Sequence, residues 1–313
     1  QSMLDGQKGN FQQLAGKRTR TLGLITTDLA LHAPSQIASA VKSRAGERGA
    51  GVLISMVEHP TFCEAALQEL LAQRVEGLLV NVPLDDADAE RIRRLAAPVP
   101  VLFLDVSPCA DVHSLAFNAG QGAALGVEHL LALGHQRIAL LSGPESSVSS
   151  RARLAGWQAR LAQANMSPCA MAHGDWSAAS GYEKGHQLLA GAMLPHAILV
   201  ANDQMALGLM RACAEKGVSI PGQISVVGFD DTADSAWFSP PLTTIRQAFR
   251  DAGERSVEWL LSPSKDSLWQ VQLPVTLVER HSSAQHSPQQ ADREDLARQL
   301  KSLALIAEQL ARG

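Results

Sequence analysis

Polar side chains recur in this chain where apolar runs end. Thr27 and Asp28 follow the run 22–26, Asp105 closes 101–105, Asn202 and Gln204 follow 197–201, and Asp230 follows 224–229. Arg151 and Arg153 open a helical stretch behind the serine-rich turn SGPESSVSS, and Trp176 stands between Asp175 and Ser177 in HGDWSAASG. This mixture suits a neutral polyol. Each sugar hydroxyl both donates and accepts, so its site combines carboxylates, which accept, with Arg and Asn, which donate in fixed geometry. The C–H face of a sugar is apolar, and a flat indole covers it with little rotamer freedom lost. A phosphate would not be placed among two or three carboxylates. Each residue also has a plainer reading: Asp203 and Asp231 as helix or turn caps, Arg153 as a surface helix residue, Trp176 as a half-buried core aromatic.

Signatures of catalysis are largely absent. The chain has no GxSxG, no GxxxxGK[ST], no HExxH and no Cys/His set at zinc spacing. Asp105 and Asp230 could in principle run glycoside hydrolysis as a carboxylate pair, but nothing singles out an acid with a raised pKa. The ten histidines are scattered. No enzyme activity, cofactor or metal is implied.

The elements that must position these groups read clearly. In 199–231 an apolar run stops at Asn202 and Asp203, with Asp203 placed to cap a following helix. Met205, Leu209 and Cys213 recur at helical spacing, Gly217 and Pro221 end the helix, and a second apolar run stops at Asp230 and Asp231. That is one βαβ unit, with polar residues at the carboxyl ends of two parallel strands, the edge where open α/β sheets bind ligands. The same alternation predicts strands at 22–26, 51–57, 77–82, 101–105, 138–142, 171–173, 197–201 and 224–229. Helices are predicted at 34–48, 63–73, 86–96, 122–133, 148–164, 179–190 and 204–215. Two Rossmann-like lobes of parallel α/β structure follow. The second spans 119–241. The first spans 21–118, and 242–280 (the segment 242–247, a helix at 248–261, a β-rich stretch at 271–280) returns to complete it. A hinge between lobes and a cleft for ligand capture by closure are expected.

Composition narrows the class. With 313 residues, 46% hydrophobic and 19% charged, the chain suits a soluble globular protein of two domains. A net charge of −4 argues against a basic nucleic-acid-binding surface over the whole body. Cys63, Cys109, Cys169 and Cys213 form no CxxC pair and read as free buried thiols of a reducing cytosol. With no secretory leader and no membrane-length apolar run, either the protein is cytoplasmic, the reading preferred, or a leader has been removed. Residues 1–20 read as a tail. Residues 281–292, rich in Ser, Gln and His, read as a flexible linker, and 293–313 as a helix. There Leu296, Leu300, Leu303, Ala307 and Leu310 step by four and three, a heptad seam suited to oligomerisation.

Several blocks resemble the LacI/GalR family of sugar-responsive transcription regulators. They are LALHAPSQI (29–37), GVEHLLALGHQRIALLSGP (126–144), SSVSSRARLAGW (146–157), GDWSAASG (174–181), VANDQMALG (200–208), SVVGFDDT (225–232) and PPLTTIRQ (240–247). The resemblance implies a type I periplasmic-binding-protein-like core of two lobes and a repressor whose galactoside inducer lowers its affinity for operator DNA. It implies that Leu31, Ala33, Pro34 and Ile37 form an apolar rim. Asp105, Ser149, Arg153, Asn202, Gln204 and Asp230 bind hydroxyls, and Trp176 and Phe249 pack on the sugar. Lys42 would lie in a dimer interface, the leucine seam would build a tetramer as a four-helix bundle, and Leu14, in QQLAGK, would wedge into the operator's minor groove. Ala252 departs from the larger apolar residue expected at the pocket edge. No helix-turn-helix precedes the hinge remnant, so the chain reads as a regulatory core cut from a longer repressor. The alternatives are a periplasmic-type sugar-binding protein, which would share fold and pocket, and a sugar hydrolase.

Overall fold

A computed structural model describes residues 20–312, apart from the side chains of 289–292 and 294. The hinge reading of Leu14 lies outside the described residues. In chain order the elements run β1 (Arg20–Thr26), α1 (His32–Glu47), β2 (Ala50–Met56), α2 (Cys63–Ala72), β3 (Gly77–Asn81), α3 (Asp86–Ala96), β4 (Val101–Phe103), β5 (Ser114–Phe117), α4 (Ala119–Ala132), β6 (Ile138–Ser142) and α5 (Val148–Gln163). They continue as β7 (Met171–His173), α6 (Ala178–Leu189), β8 (Ala197–Val200), α7 (Asp203–Glu215), β9 (Ser225–Val227), β10 (Thr244–Arg246), α8 (Phe249–Leu261), β11 (Gln270–Leu273), β12 (Thr276–Val278) and α9 (Pro288–Arg312).

The chain forms two α/β units, one reaching to Leu115 and taking back Phe249–Val271, the other holding Ala116–Ala248 and everything from Gln272. The return to the first unit is thus shorter than 242–280. Residues 242–248 stay with the second unit because Thr243 and Thr244 are bonded into it. The Thr244 hydroxyl donates to Asp203 and the Thr243 amide to Ser282 Oγ. β10 also pairs antiparallel with β12.

The first unit is built on a sheet ordered β11-β5-β4-β3-β1-β2, whose pairings among β1 to β5 are parallel. β3 is an unbroken apolar run because both its faces are covered. Its helices carry ordinary end signals. Asp85 accepts from the Asp88 amide at 2.7 Å to cap α3, which opens with acids and closes with Arg93 and Arg94, as the helix dipole favours. The second unit has a wholly parallel sheet ordered β7-β6-β8-β9. Its core gathers Leu140, Leu141, Trp157, Leu199, Val200 and Leu209.

Three expectations need correction. The cap of α7 is Asn202, whose side chain accepts from the Met205 amide at 3.0 Å; Asp203 is the first helical residue and is fully buried. The predicted linker is anchored where it begins. Ser282 is wholly buried, its hydroxyl donates to the Val226 carbonyl at 2.6 Å, and α9 already starts at Pro288. Cys63 and Cys213 are buried thiols that desolvation pushes up to about 12, but Cys109 and Cys169 are exposed; all four are free. β5, unread in the sequence, adds a short strand beside β4. On α9, Leu296, Leu300, Leu303 and Leu310 are each more than half exposed, so the seam is not buried on its own chain.

In the second unit α6 and α7 meet backbone to backbone. A Cβ on Gly181 would lie 2.1 Å from the Met205 carbonyl oxygen, and one on Gly208 1.9 Å from that of Ala178. Gly181→Ala is therefore expected to lower the unfolding free energy by about 1–3 kcal/mol in urea titration despite alanine's better helix propensity. An unchanged midpoint would show that the helices can separate at no cost.

Candidate functional site

In the first unit, the loops and helix starts that follow the parallel strands hold the expected residues. Leu31 is the residue before α1, and Ala33, Pro34 and Ile37 lie in its first two turns. Pro34 and Ile37 are buried, Leu31 and Ala33 half-buried. Asp105 is half-buried just past β4, and its carbonyl accepts from the Leu84 amide. Phe249, the first residue of α8, meets the His32 ring edge to face at 5.8 Å. Asp28 does something smaller: its carboxylate accepts from the Ala30 amide at 2.9 Å within its own turn. Ala252 is buried in α8. Lys42 is exposed on α1.

The second unit brings its candidates closer together. β6 leads to α5, which Ser147 caps through the Ser150 amide and which carries Ser149 and Arg153. β7 leads to Trp176, β8 to Asn202 and Gln204, and β9 to Asp230. Arg153 is only 6% exposed. Its Nη1 donates to the Ala201 carbonyl, and its guanidinium lies 4.2 Å from the Phe229 ring centroid and 5.3 Å from that of Trp176. Its Nη2 lies 3.8 Å from Asp230 Oδ1, an ion pair too long for a direct hydrogen bond. Gln247 Nε2 donates to the same oxygen at 2.7 Å. Asn202 works twice, capping α7 with its oxygen and donating through Nδ2 to the Trp176 carbonyl at 2.9 Å. Ser149 and Gln204 are half-buried in the first turns of their helices. Arg151, by contrast, is exposed and donates to the Glu145 carbonyl at 2.7 Å.

Among the described residues other than glycine, and besides Arg74 and Asn165 at helix ends, positive φ falls on residues of this group. Trp176 has φ 78°, Asp230 φ 129° and Asp231 φ 61°. A tryptophan in this region is strained by about 1–3 kcal/mol and persists only where its surroundings hold it. Here the Asn202 amide holds its carbonyl, and its indole covers Gly143, where a Cβ would come within 2.7 Å of the ring. Trp176 thus both packs on the core and faces Arg153.

Burial pushes the Asp230 carboxyl up to about 7, against the pull of the Arg153 charge and the Gln247 hydrogen bond and reinforced by the Asp203 charge. Sequence reasoning missed Gln247, Phe229 and Gly143, whose parts depend on pairings across the fold. It also misread the acidic caps. Asp203 accepts from the Thr232 amide at 3.0 Å and from the Ser235 and Thr244 hydroxyls at 2.6 Å each; burial raises its pKa and these donors lower it. Asp231 pairs with Arg246 at 2.8 Å and Arg280 at 2.6 Å.

Such a fold and such a cluster define a periplasmic-binding-protein-like ligand domain, and the family model described as "Periplasmic binding protein-like domain" matches residues 127–283. The lactose operon repressor of Escherichia coli K12 is 50% identical over 306 residues, covering 96% of this chain and 85% of that protein. The one from Klebsiella pneumoniae is 44% identical over 296 residues, covering 93% and 83%. The crystal structure of the lac repressor dimer bound to operator and the anti-inducer ONPF superposes with a TM-score of 0.83 at 52% identity, covering 88% of this chain and 98% of that one. The chain belongs to the family of the lactose operon repressors. Among the described residues no helix is long and apolar enough to cross a membrane.

Asp203→Ala strands three donors in a dry interior. It should reduce the unfolding free energy by at least about 2 kcal/mol, read by chemical denaturation; a loss within error would mean that Asp203 holds nothing together.

Proposed function

We propose that this chain is the effector-binding and self-associating part of a cytoplasmic, galactoside-responsive transcriptional repressor, and that it binds its sugar without transforming it. The observation that carries the reading is the second unit's group of a buried guanidinium, a raised buried carboxyl, an amide and an indole at one sheet edge. The relatives add weight, being repressors of a lactose operon. In this reading a sugar hydroxyl bridges Arg153 and Asp230, accepting from one and donating to the other across a span too long for them to bond directly. Ser149, Asn202 and Gln204 take further hydroxyls, and Trp176 covers the C–H face. In the first unit the same reading assigns apolar cover for a sugar to Leu31, Ala33, Pro34, Ile37 and Phe249, and a carboxylate to Asp105.

Sugar binding favours one of two states, and operator DNA favours the other. The coupling is reciprocal, so operator weakens the sugar by the factor by which sugar weakens operator, typically about 1–3 kcal/mol. Lys42 belongs to a dimer contact, and the seam Leu296, Leu300, Leu303, Ala307 and Leu310 joins dimers into a tetramer. Support for the seam is the exposure of its leucines, and a relative bound to operator has been seen as a dimer.

Arg153→Ala removes the donor fork, and galactoside affinity by calorimetry should fall on the order of 100-fold with the circular dichroism of the fold retained. Affinity within a factor of two of the parent would remove Arg153 from the site.

Acidity provides a second check. The bridge is assigned to ionised Asp230, the stronger acceptor, so in this reading sugar binding lowers its pKa from about 7. Affinity should therefore weaken about tenfold between about pH 8 and about pH 6, since each unit below the pKa removes a decade of the binding form. Without sugar the same raised pKa acts on folding in the opposite sense. The native state retains a proton that the unfolded chain has lost, so stability declines as pH rises from the ordinary Asp range toward about 7. Asp230→Asn should flatten the binding profile; a profile that keeps its slope would assign the titration elsewhere.

A further inference from the structure

Sugar recognition leaves a group of histidines in the second unit without a purpose. His286 lies two residues before α9. Its ring stacks on that of His196, with centroids 3.9 Å apart and planes 19° from parallel, and lies 5.6 Å from the ring of His135. His196 stands just before β8, and His135 follows the end of α4. His135 Nε2 faces the Ala284 carbonyl at 2.8 Å, so that nitrogen carries the hydrogen. Its Nδ1 is buried and has no hydrogen-bond partner. His129, on α4, meets the Ser283 hydroxyl through Nε2 at 2.8 Å. The backbone of the same stretch is fastened too: the His286 amide donates to the Leu133 carbonyl at 2.8 Å and the Ala284 amide to Ser225 Oγ at 3.0 Å.

We propose that His135, His196 and His286 form a proton-operated latch, which holds residues 282–286, and with them the root of α9, on the second unit while the rings are neutral and lets them go when the rings are protonated. Neutral imidazoles stack at this distance without penalty, whereas two imidazolium ions 3.9 Å apart repel strongly. A proton arriving at His135 Nδ1 would create a buried N–H with nothing to bond, a second reason for the neutral form to belong to the closed state. The charged groups around the cluster offset this only in part. His129 shares it, and Glu279, whose charge favours protonated His129, opposes burial there. The neighbouring cation, Arg137, directs Nε to the Leu194 carbonyl, and its own carbonyl accepts from the His196 amide. Desolvation, the largest influence, holds His135 and His129 below the ordinary histidine value; the Ala284 carbonyl draws His135 part of the way back up, and the His286 and His129 charges push it down again. A group depressed in the closed state binds its proton more readily in the open one. Closure is therefore complete above the ordinary histidine pKa and is lost as pH falls below it.

The test is hydrogen–deuterium exchange on the whole chain at about pH 8 and about pH 5.5, corrected for intrinsic exchange chemistry. Amides of 282–286 should exchange about tenfold faster at the lower pH while those of β6 and β8 do not change, one decade corresponding to one unit of differential protonation. His286→Phe keeps an aromatic ring on His196 but cannot be protonated, and it should abolish most of that acceleration. Equal corrected rates at the two pH values, or an acceleration undiminished in His286→Phe, overturns the latch. Should the variant not fold, an NMR titration of the parent's imidazoles decides: His135 must titrate below the ordinary histidine value, and a value at or above it overturns the proposal. None of these readouts involves sugar.

Discussion

The site of the second unit hangs on a carboxylate that never meets water. Asp203, fully buried, accepts from the Thr232 amide and from the Ser235 and Thr244 hydroxyls, so one side chain ties together the start of α7, the turn beyond β9 and the strand β10. Such a group is tolerated inside a protein only where its acceptor capacity is filled. Gly228 leaves it the room, since a Cβ there would lie 2.2 Å from Oδ1. Asn202 and Gln204 are its chain neighbours. Asp230 is two residues from Thr232, and the Gln247 that steadies Asp230 extends from the strand bearing Thr244. The side chains proposed to bind sugar are thus placed by a residue that does not itself touch ligand in that proposal.

Three of the positive-φ residues, Trp176, Asp230 and Asp231, stand in or beside the group proposed to bind sugar. Asp230 and Asp231 have positive φ values, and a short polar side chain such as Asp lowers the penalty in the left-handed region. Trp176 has no such advantage. Its conformation is maintained by the hydrogen bond from Asn202, by Gly143 beneath the indole and by the guanidinium of Arg153.

Much of this was legible in the residues because parallel strands covered on both faces write themselves as unbroken apolar runs, and their polar ends mark the ligand edge. The strands at Ile138–Ser142 and Met171–His173 and the helix at Asp86–Ala96 coincide with the spans their patterns predict. Adjacent cap-competent residues are another matter. Asn202 and Asp203 are both good N-caps by type, and only the interior that Asp203 enters distinguishes them. Polarity misled at Ser282 for a related reason: its hydroxyl is satisfied by Val226 and Thr243, 56 and 39 residues away in sequence. Tertiary partners at that separation leave no periodic trace. The histidine group around His286 is invisible in the sequence on the same ground, being drawn from three separate parts of the chain.

The route of the chain also sets a timetable for its synthesis. The first unit is interrupted after Leu115 and resumes at Phe249, and α8 packs on α1 through Arg44 with Glu254 and Glu258. At a translation rate of about 5–20 residues per second, the covering helix emerges from the ribosome on the order of ten seconds after the strands it must shield. Throughout that delay the flank of α1 that will receive α8, with Gly253 set against Ala40 and Ile37, is uncovered on the nascent polypeptide. The second unit likewise waits for β12. Neither half can be completed as the early product of a vectorial process, and the nascent chain must keep its first sheet from associating with other chains until α8 has been made.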